Sequence, residues 1–222
     1  MNTDKKLFLL DAYALIFRAY YAFFSNPMKN SKGMPTSTVF GFTLALEDIL
    51  RRENPSHIAV VFDPPGPTFR HEMFKAYKAN REATPEDIKT ALPYIKTLIE
   101  GFNIPIIEVP GYEADDVIGT LAKKAERDGY FVYMMTPDKD FAQLVSEKIV
   151  MYKPGRAGAS PEIMGPSEVK EKFLVEHPEQ VIDILGLWGD ASDNIPGIPG
   201  IGEKRAMELI SKYGSVENVI AS

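Results

Sequence analysis

The sequence contains no cysteine and only three histidines, His57, His71 and His177. Without cysteine the chain cannot form disulfide bonds or thiolate-bound zinc sites. The three histidines are too widely spaced along the chain to indicate a zinc centre. Any metal site in this protein is therefore expected to use oxygen ligands.

Long uninterrupted apolar runs are also lacking. The N-terminus superficially resembles a signal peptide, because Lys5 and Lys6 precede apolar residues. Asp11 and Arg18 interrupt that run, and no small-residue cleavage site follows it. No other segment reaches the roughly 18 apolar residues of a membrane-spanning helix. We therefore expect a cytoplasmic protein with no membrane partner.

A net positive charge, common in proteins that bind nucleic acids, is missing too. The 222 residues carry a formal net charge of −6, whereas DNA phosphates are neutralised mainly by Lys and Arg. The distribution of charge matters more, because nine acidic residues could gather at one site. Leaving out these nine negative charges turns the balance of −6 into +3. They are Asp11, Asp63, Glu113, Asp115, Asp116, Asp138, Asp140, Asp190 and Asp193.

Apolar runs alternate with helical periodicity over most of the chain. Strands are predicted at 7–10, 58–62, 104–109 and 131–135, with helices at 35–52, 85–101, 113–128 and 138–145. This alternation predicts a largely parallel α/β sheet. After a loop at 154–166 the pattern is purely helical, with helices predicted at 167–174, 178–188, 203–213 and 215–221.

Acidic residues follow the predicted strands. One Asp after a strand is usually a turn residue or a helix cap, but here Asp11, Asp63, Glu113 and Asp138 all fall beyond carboxyl ends. Parallel α/β sheets bind ligands at that edge. Glu113 and Asp116 share a helix face, and Asp115 can join them only if Glu113 lies just outside the helix.

Two further acidic pairs extend this pattern. Asp138 and Asp140 follow the strand at 131–135, and Asp190 and Asp193 lie between two predicted helices. So many carboxylates in one place repel each other unless cations offset their charge. Oxygen ligands without Cys or His clusters favour Mg²⁺ or Mn²⁺ over zinc.

Basic and aromatic residues alternate between Asp63 and the helix predicted near 86. The basic residues are Arg70, Lys75, Lys78 and Arg81, and the aromatic residues are Phe69, Phe74 and Tyr77. This mixture is typical of surfaces that contact single-stranded nucleic acid, since cations bind phosphates and rings stack on bases. A solvated amphipathic helix is the alternative interpretation.

The segment IPGIPGIGEKRAMELI predicts a helix–hairpin–helix, with Gly200, Ile201 and Gly202 in the turn and Lys204 opening the second helix. Glycine allows close backbone approach, and free amides at a helix start bind phosphate without reading sequence. A simple turn between two helices is the alternative.

Several blocks of the sequence together resemble a known family. In chain order they are LLDAYALIFRAYYAF, VVFDPPGPTFRHEMFKAYKANR, GYEADDVIGTLA, TPDKDFAQLV and GDASDNIPGIPGIGEKRA. They resemble the 5′ nuclease domain of bacterial DNA polymerase I and, more loosely, flap endonucleases. The resemblance spans residues 7–220 and implies a PIN-like 5′ nuclease α/β fold. Its mainly parallel central sheet is flanked by helices.

The resemblance also implies a division of the chain. A nuclease core at 1–165, with a helical arch at about 64–100, would precede a helical helix–hairpin–helix subdomain at 166–222. Because the family's domain usually continues beyond the hairpin, we expect the subdomain to be truncated here.

The resemblance assigns roles to the acidic residues. Asp63, Glu113, Asp115 and Asp116 would surround one divalent ion, and Asp138, Asp140, Asp190 and Asp193 a second. Asp11 would act through bound water. Two such ions suit phosphodiester hydrolysis, one generating hydroxide and the other stabilising the leaving 3′ oxygen.

Other residues receive roles from the same resemblance. Lys78 and Arg81 would reach the scissile phosphate, and Arg18 would be a further catalytic cation, although an ordinary ion pair is its alternative. Tyr20 and Tyr21 would stack on an unpaired terminal base, or simply pack in the core. A K⁺ ion at the hairpin is also implied.

The function implied is that of a structure-specific 5′-3′ exonuclease and flap endonuclease acting near single-strand/duplex junctions. Its partners would be flapped, nicked or gapped DNA, RNA primers and a fused polymerase domain, with the protein a monomer. One alternative is a non-catalytic scaffold that binds DNA junctions. Another is a phosphatase or phosphotransferase for small molecules, which would explain Asp11 and Asp63 but not the arch or hairpin.

Overall fold

A six-stranded sheet forms the centre of the computed structural model, which describes residues 5–155 and 159–222. Its strands are β1 (Lys6–Asp11), β2 (His57–Phe62), β3 (Ile106–Glu108), β4 (Phe131–Met135), β5 (Ile149–Lys153) and β6 (Glu162–Met164). They lie in the order β3-β2-β1-β4-β5-β6. All neighbouring pairs are parallel except β5 and β6, which confirms the mainly parallel sheet.

Helices cover both faces of this sheet. In chain order they are α1 (Ala12–Ala22), α2 (Ser37–Glu53), α3 (Phe69–Met73), α4 (Glu86–Gly101), α5 (Ala114–Arg127), α6 (Pro166–Phe173), α7 (Val181–Trp188), α8 (Glu203–Tyr213) and α9 (Val216–Ile220). Short 3₁₀ helices span Lys139–Leu144 and Pro178–Gln180. Between α7 and α8 lies a hairpin of two short strands, β7 (Gly189–Asp190) and β8 (Ile195–Pro196).

Alternation along β1 divides the core into two layers. Phe8 and Leu10 are fully buried against the side of the sheet that carries α1, α2 and α4. Leu9 points to the opposite face, where α5 packs. Ile184 of α7 and Ile210 of α8 belong to the same apolar cluster as Leu9, so the C-terminal helices share a core with the sheet. This packing fixes the C-terminal helices against the central sheet; the boundary at 165 stays a prediction.

Three sequence-based predictions need correction. The predicted loop at 154–166 contains β6, and the region after it is not purely helical, since β7 and β8 form a hairpin. Such two- or three-residue strands are too short to leave a recognisable period. The predicted helix at 138–145 is a 3₁₀ helix, begun by Asp138, whose side chain accepts the Asp140 amide. Residues 156–158 of that loop lie outside the described part of the chain.

The range predicted as an arch, 64–100, contains two different parts. Its last third is α4, whose residues Ile88, Ile95 and Ile99 are fully buried in the core. Residues 69–81, which we call the basic segment, contain only α3 and a run of turns. In the described residues, no helix is long and apolar enough to cross a membrane.

Candidate active site

The carboxyl ends of β1, β2 and β4 meet at one edge of the sheet. The register aligns Leu10 with Val60 on one side and Met135 on the other. Asp11 therefore ends β1 beside the residues that follow β2 and β4. Its carboxylate accepts hydrogen bonds from the Ala14 amide (3.0 Å) and the Thr136 hydroxyl (3.2 Å).

Backbone amides hold two more carboxylates at this edge. Asp63 Oδ1 accepts from the Ala114 amide at 2.7 Å, which ties the end of β2 to the start of α5. Asp138 Oδ1 accepts from the Asp140 amide at 3.0 Å. Because these donors belong to the backbone, the positions of the acids follow from the chain fold itself.

The start of α5 brings three acids together as the sequence requires. Glu113 is the N-cap, outside the helix, so the condition for Asp115 to join Glu113 and Asp116 is met. Asp116 Oδ2 accepts from the Glu113 amide at 3.0 Å. The three line one open cleft, together with Asp140 and Asp193 from further along the chain.

Burial and mutual repulsion raise the pKa values of several of these acids. Burial raises the pKa of Asp115 to about 8, with added repulsion from Asp11, Asp138 and Asp63. Burial is also the main cause for Asp11, whose pKa rises to about 6. The pKa of Asp140 likewise rises to about 6, through burial and the neighbouring Asp138. Each of the three shifts thus combines burial with repulsion from neighbouring carboxylates, as expected for acids gathered at one edge of the sheet.

The basic segment supplies cations to the cluster. Arg70 makes a bidentate pair with Asp116, at 2.7 and 2.8 Å. Although burial acts in the opposite direction, these bonds lower the pKa of Asp116. Lys78 Nζ lies 2.8 Å from Oε1 of the buried Glu113. The predicted phosphate-binding cation Lys78 is therefore at the cluster.

Two more residues of the basic segment reach Asp193. Arg81 Nη2 lies 2.5 Å from Asp193 Oδ1. The Tyr77 hydroxyl lies between Asp193 Oδ2 (2.9 Å) and Glu113 Oε2 (2.8 Å), and its single proton can serve one of them at a time. Burial and the two carboxylates raise the pKa of Tyr77. Its ring is 4% exposed, so its hydroxyl, and not a ring face, meets the cleft.

Lys139 is a site residue that the sequence interpretation missed. Its Nζ lies 2.9 Å from Asp190 Oδ2 and 3.4 Å from Asp140 Oδ1, so it joins the two later acidic pairs. Asp190 also accepts from the amide and hydroxyl of Ser192. A lysine between two aspartates was the available signal, because a cation beside clustered acids offsets their repulsion.

Other predicted residues differ in how they are placed relative to the carboxylates. Arg18 lines a pocket with Ala14 and Thr136, the two residues that donate to Asp11. Arg18 Nη2 donates to the Gly155 carbonyl at 2.6 Å, on the loop after β5. Lys75 is exposed. Tyr20 and Tyr21 lie at the far end of α1, with ring centroids 5.2 Å apart, and Tyr21 is 64% exposed. Their predicted roles in catalysis and DNA binding stay predictions.

The helix–hairpin–helix turn also lies away from the acids, after β8. Gly200 has a left-handed φ of +82°, which glycine adopts without strain. Gly202 caps α8, which begins at Glu203, one residue before the predicted Lys204. The exposed turn therefore has the backbone form expected of a phosphate-binding element, while Ile201 packs partly against the core.

The donor set fits hard divalent cations. Its side-chain groups are carboxylates, and burial, with added repulsion from neighbouring acids, raises the pKa values of Asp11, Asp115 and Asp140. A bound divalent cation would offset that repulsion. Asp140 Oδ1 is buried, and its ion-pair partner is Lys139 Nζ at 3.4 Å. No three His, Asp or Glu side chains in residues 5–155 and 159–222 are already grouped around one point. Several of the acids instead turn their oxygens to Arg70, Lys78, Arg81 and Lys139.

Comparison with known families agrees with the fold and the cleft. Residues 6–174 match the 5′-3′ exonuclease N-terminal resolvase-like domain, and residues 176–222 match the 5′-3′ exonuclease C-terminal SAM fold. A 5′-3′ exonuclease of Aquifex aeolicus is 40% identical over 216 residues, covering 97% of this chain and 72% of the relative. The chain therefore belongs to the 5′-3′ exonuclease family.

Longer relatives carry the name DNA polymerase I. That of Bacillus caldotenax is 44% identical over 219 residues, which are 98% of this chain but 24% of the relative. The chain thus spans about a quarter of the length of such relatives.

Solved structures share the fold. The T5 5′-exonuclease with bound divalent zinc ions superposes with a TM-score of 0.77 at 24% identity, covering 98% of this chain and 79% of that one. Flap endonuclease-1 from Methanococcus jannaschii gives a TM-score of 0.61 at 20% identity, with 98% and 76% covered.

Proposed function

We propose that this chain is a structure-specific 5′ nuclease that hydrolyses phosphodiesters near junctions between single-stranded and duplex DNA, or at RNA primers. One observation carries the proposal. Asp115 at the start of α5 interacts with the strand-end acids Asp11, Asp63 and Asp138, and Arg70 and Lys78 of the basic segment pair with the neighbouring Asp116 and Glu113. The family membership of the chain supports the same chemistry.

The acids would hold two divalent cations, Mg²⁺ or Mn²⁺. The acidic residues fall into one group around α5 and another around Lys139. Asp11 would act through bound water. The first group is Asp63, Glu113, Asp115 and Asp116, and the second is Asp138, Asp140, Asp190 and Asp193. When bound, such ions lower the pKa of an attacking water and neutralise charge on the leaving oxygen.

The basic segment would bind the scissile phosphate. Lys78 and Arg81 extend into the cleft from one short run of turns, so both can contact the same phosphate group. Arg70 holds Asp116 in place from the side and adds positive charge near the substrate strand. Lys75 and Arg18 would add charge along the path of that strand. These cations offset the negative charge that builds on phosphate during hydrolysis.

The duplex would be held elsewhere on the molecule. Amides near Gly200 and Gly202, with Lys204, would bind its phosphates without regard to sequence. A K⁺ ion on backbone carbonyls of this turn would strengthen that contact. Tyr20 and Tyr21 would stack on a base at the end of the duplex.

The biological context would be removal of primers and displaced flaps in DNA replication and repair. We place the chain as the N-terminal part of a DNA polymerase I, with the polymerase fused behind it, acting as a cytoplasmic monomer. The length relation to the Bacillus relative supports this context.

A 5′-labelled flap duplex tests the proposal directly. The chain is incubated with Mg²⁺, with EDTA, and as the Asp116→Ala variant. Cleavage near the junction that needs Mg²⁺ and Asp116 supports the nuclease. Binding of the flap duplex without any cleavage would contradict it and favour a non-catalytic scaffold.

A further inference from the structure

Two asparagine side chains join the basic segment to the turn between β7 and β8. Asn80 Nδ2 donates to the Ala191 carbonyl at 2.8 Å. Asn194 Nδ2 donates to the Ala76 carbonyl at 2.7 Å. Each asparagine therefore reaches from its own segment to the backbone of the other, and the two contacts lie on either side of Tyr77 and Lys78. We call this reciprocal pair the asparagine clasp.

The backbone at Lys78 and at Asn194, where the two segments meet, is also constrained. The Lys78 amide donates to the Asp193 carbonyl at 2.9 Å. Lys78 and Asn194 both adopt left-handed φ angles, +54° and +58°. Residues with a Cβ rarely adopt this conformation unless their surroundings hold them in it, and such positions cluster at functional sites. The clasp supplies these surroundings on both sides of Lys78.

The clasp joins parts of the chain that are distant in sequence. The basic segment falls within the N-terminal family match, 6–174, and the turn falls within the C-terminal one, 176–222. The turn also carries Asp193, and the basic segment carries Lys78 and Arg81. A shift of the basic segment along the turn would therefore move both cations relative to the carboxylates at once.

We infer that Asn80 and Asn194 are positioning residues for the nuclease reaction. They hold Lys78 and Arg81 at the distance from the carboxylates that phosphate binding requires, and they touch neither metal nor substrate themselves. The inference rests on the proposed function, because it assigns the two cations to the scissile phosphate. Small errors in the placement of such groups reduce rate strongly, whereas the grip on the duplex depends on another part of the molecule.

Four variants of the full chain test the clasp. Asn80→Ala removes one amide. Asn194→Gly removes the other but keeps the left-handed backbone, which an alanine would strain. The double variant removes both. Asn103→Gly is the matched control, because Asn103 also has a left-handed φ (+56°) but precedes β3, at the opposite end of the sheet from the acids.

Single-turnover cleavage of the flap duplex with Mg²⁺ gives the kinetic answer. We expect the rate to fall about threefold in Asn80→Ala and about fivefold in Asn194→Gly, as lost hydrogen bonds of this kind predict. The double variant should lose at least the product of these factors, about fifteenfold, while its dissociation constant for the duplex changes less than about twofold. The Asn103→Gly rate should match that of the parent chain.

Trp188, the single tryptophan, gives an answer that does not depend on activity. Trp188, Phe74 and Asn80 line a second cleft, which is separate from the one lined by Glu113, Asp115 and Asp116. A loosened basic segment therefore exposes Trp188. We expect acrylamide quenching of Trp188 fluorescence to increase about twofold in the double variant and to stay unchanged in Asn103→Gly.

The outcomes distinguish failure of the proposed nuclease function from failure of the asparagine clasp. If the parent chain does not cleave, the proposed function fails and the clasp is judged on Trp188 quenching alone. A double variant with parental rate and parental quenching overturns the clasp while leaving the nuclease intact. An equal rate loss in Asn103→Gly, or a duplex affinity lowered as much as the rate, also overturns it.

Discussion

The sheet edge and the basic segment hold their charged residues in different ways. At the sheet edge, backbone amides of Ala14, Ala114 and Asp140 bind the carboxylates of Asp11, Asp63 and Asp138. In the basic segment the cations pair with carboxylates, while the asparagine clasp holds the backbone that carries Lys78 and Arg81. These three acids therefore depend on the fold, whereas the two cations depend on the carboxylates and on the clasp.

This difference predicts an unequal response to mutation. Removing an acid should disturb both the proposed metal site and the cation that faces it. Removing a base should leave Asp11, Asp63 and Asp138 in place, since their backbone donors remain. Loss of an acid is therefore expected to harm cleavage more than loss of a base.

Asp115→Asn should have the largest effect. Asp115 lies among Asp11, Asp63 and Asp138, so it would be central to metal binding. We expect cleavage with Mg²⁺ to fall about 10³-fold, because metal ions supply several kcal/mol to such reactions. The measurement is single-turnover cleavage of a flap duplex.

Asp128→Asn is the control for that variant. Asp128 is exposed at the other end of the same helix, α5, and its substitution should leave the rate unchanged. A rate for Asp115→Asn within about tenfold of the parent would show that Asp115 is not a central metal ligand.

Lys78→Ala should have the next largest effect. The change removes a cation 2.8 Å from the buried Glu113, and we expect the rate to fall about 10²-fold, as for loss of one donor to a developing anion. Lys89→Ala is the control, since Lys89 forms a comparable but exposed pair with Glu86 on α4. Single-turnover rates compare them, and a Lys78→Ala rate loss as large as that of Asp115→Asn would contradict the ranking.

The contrast between the sheet edge and the basic segment also explains which features the sequence could predict. Strand periodicity located the ends of β1, β2 and β4, and the parallel arrangement then placed Asp11, Asp63 and Asp138 at one edge. The position of Glu113 outside α5 was only a condition, because the helix predicted at 113–128 included this residue whereas α5 begins at Ala114. Each of the strand-end predictions depends on a local period that the core enforces through burial.

The remaining parts of the candidate site have no hydrophobic period in the sequence. The basic segment forms turns and only a five-residue helix, so its composition indicated nucleic-acid contact but not which carboxylate each cation meets. Pairs such as Arg70 with Asp116, 46 residues apart, arise from tertiary packing. Asn80 and Asn194 were not predicted for the same reason, because a single asparagine carries no pattern, whereas Lys139 had a signal in the two aspartates beside it.

Metal binding should stabilise the protein through the acids alone. At a concentration of Mg²⁺ or Mn²⁺ about 100 times the dissociation constant, stability rises by about 2.7 kcal/mol. For a chain of this size that raises Tm by about 5–10 °C. Thermal unfolding followed by circular dichroism, with and without EDTA, measures the shift. Asp115→Asn should reduce the shift, because it removes a ligand of the first proposed ion, whereas Lys78→Ala should keep it; a full shift in Asp115→Asn would show that Asp115 holds neither ion.

The smallest effect is expected at the hairpin, where Gly200 and Gly202 form a matched pair. A Cβ added at either would meet no atom within 4 Å, but only Gly200 has a left-handed φ. Gly200→Ala should lower the free energy of unfolding by about 1 kcal/mol, or about 2–4 °C in Tm, and Gly202→Ala should change it little. Duplex binding separates the causes: if both variants bind weakly, a Cβ blocks the phosphate, and if only Gly200→Ala does, the shape of the turn matters.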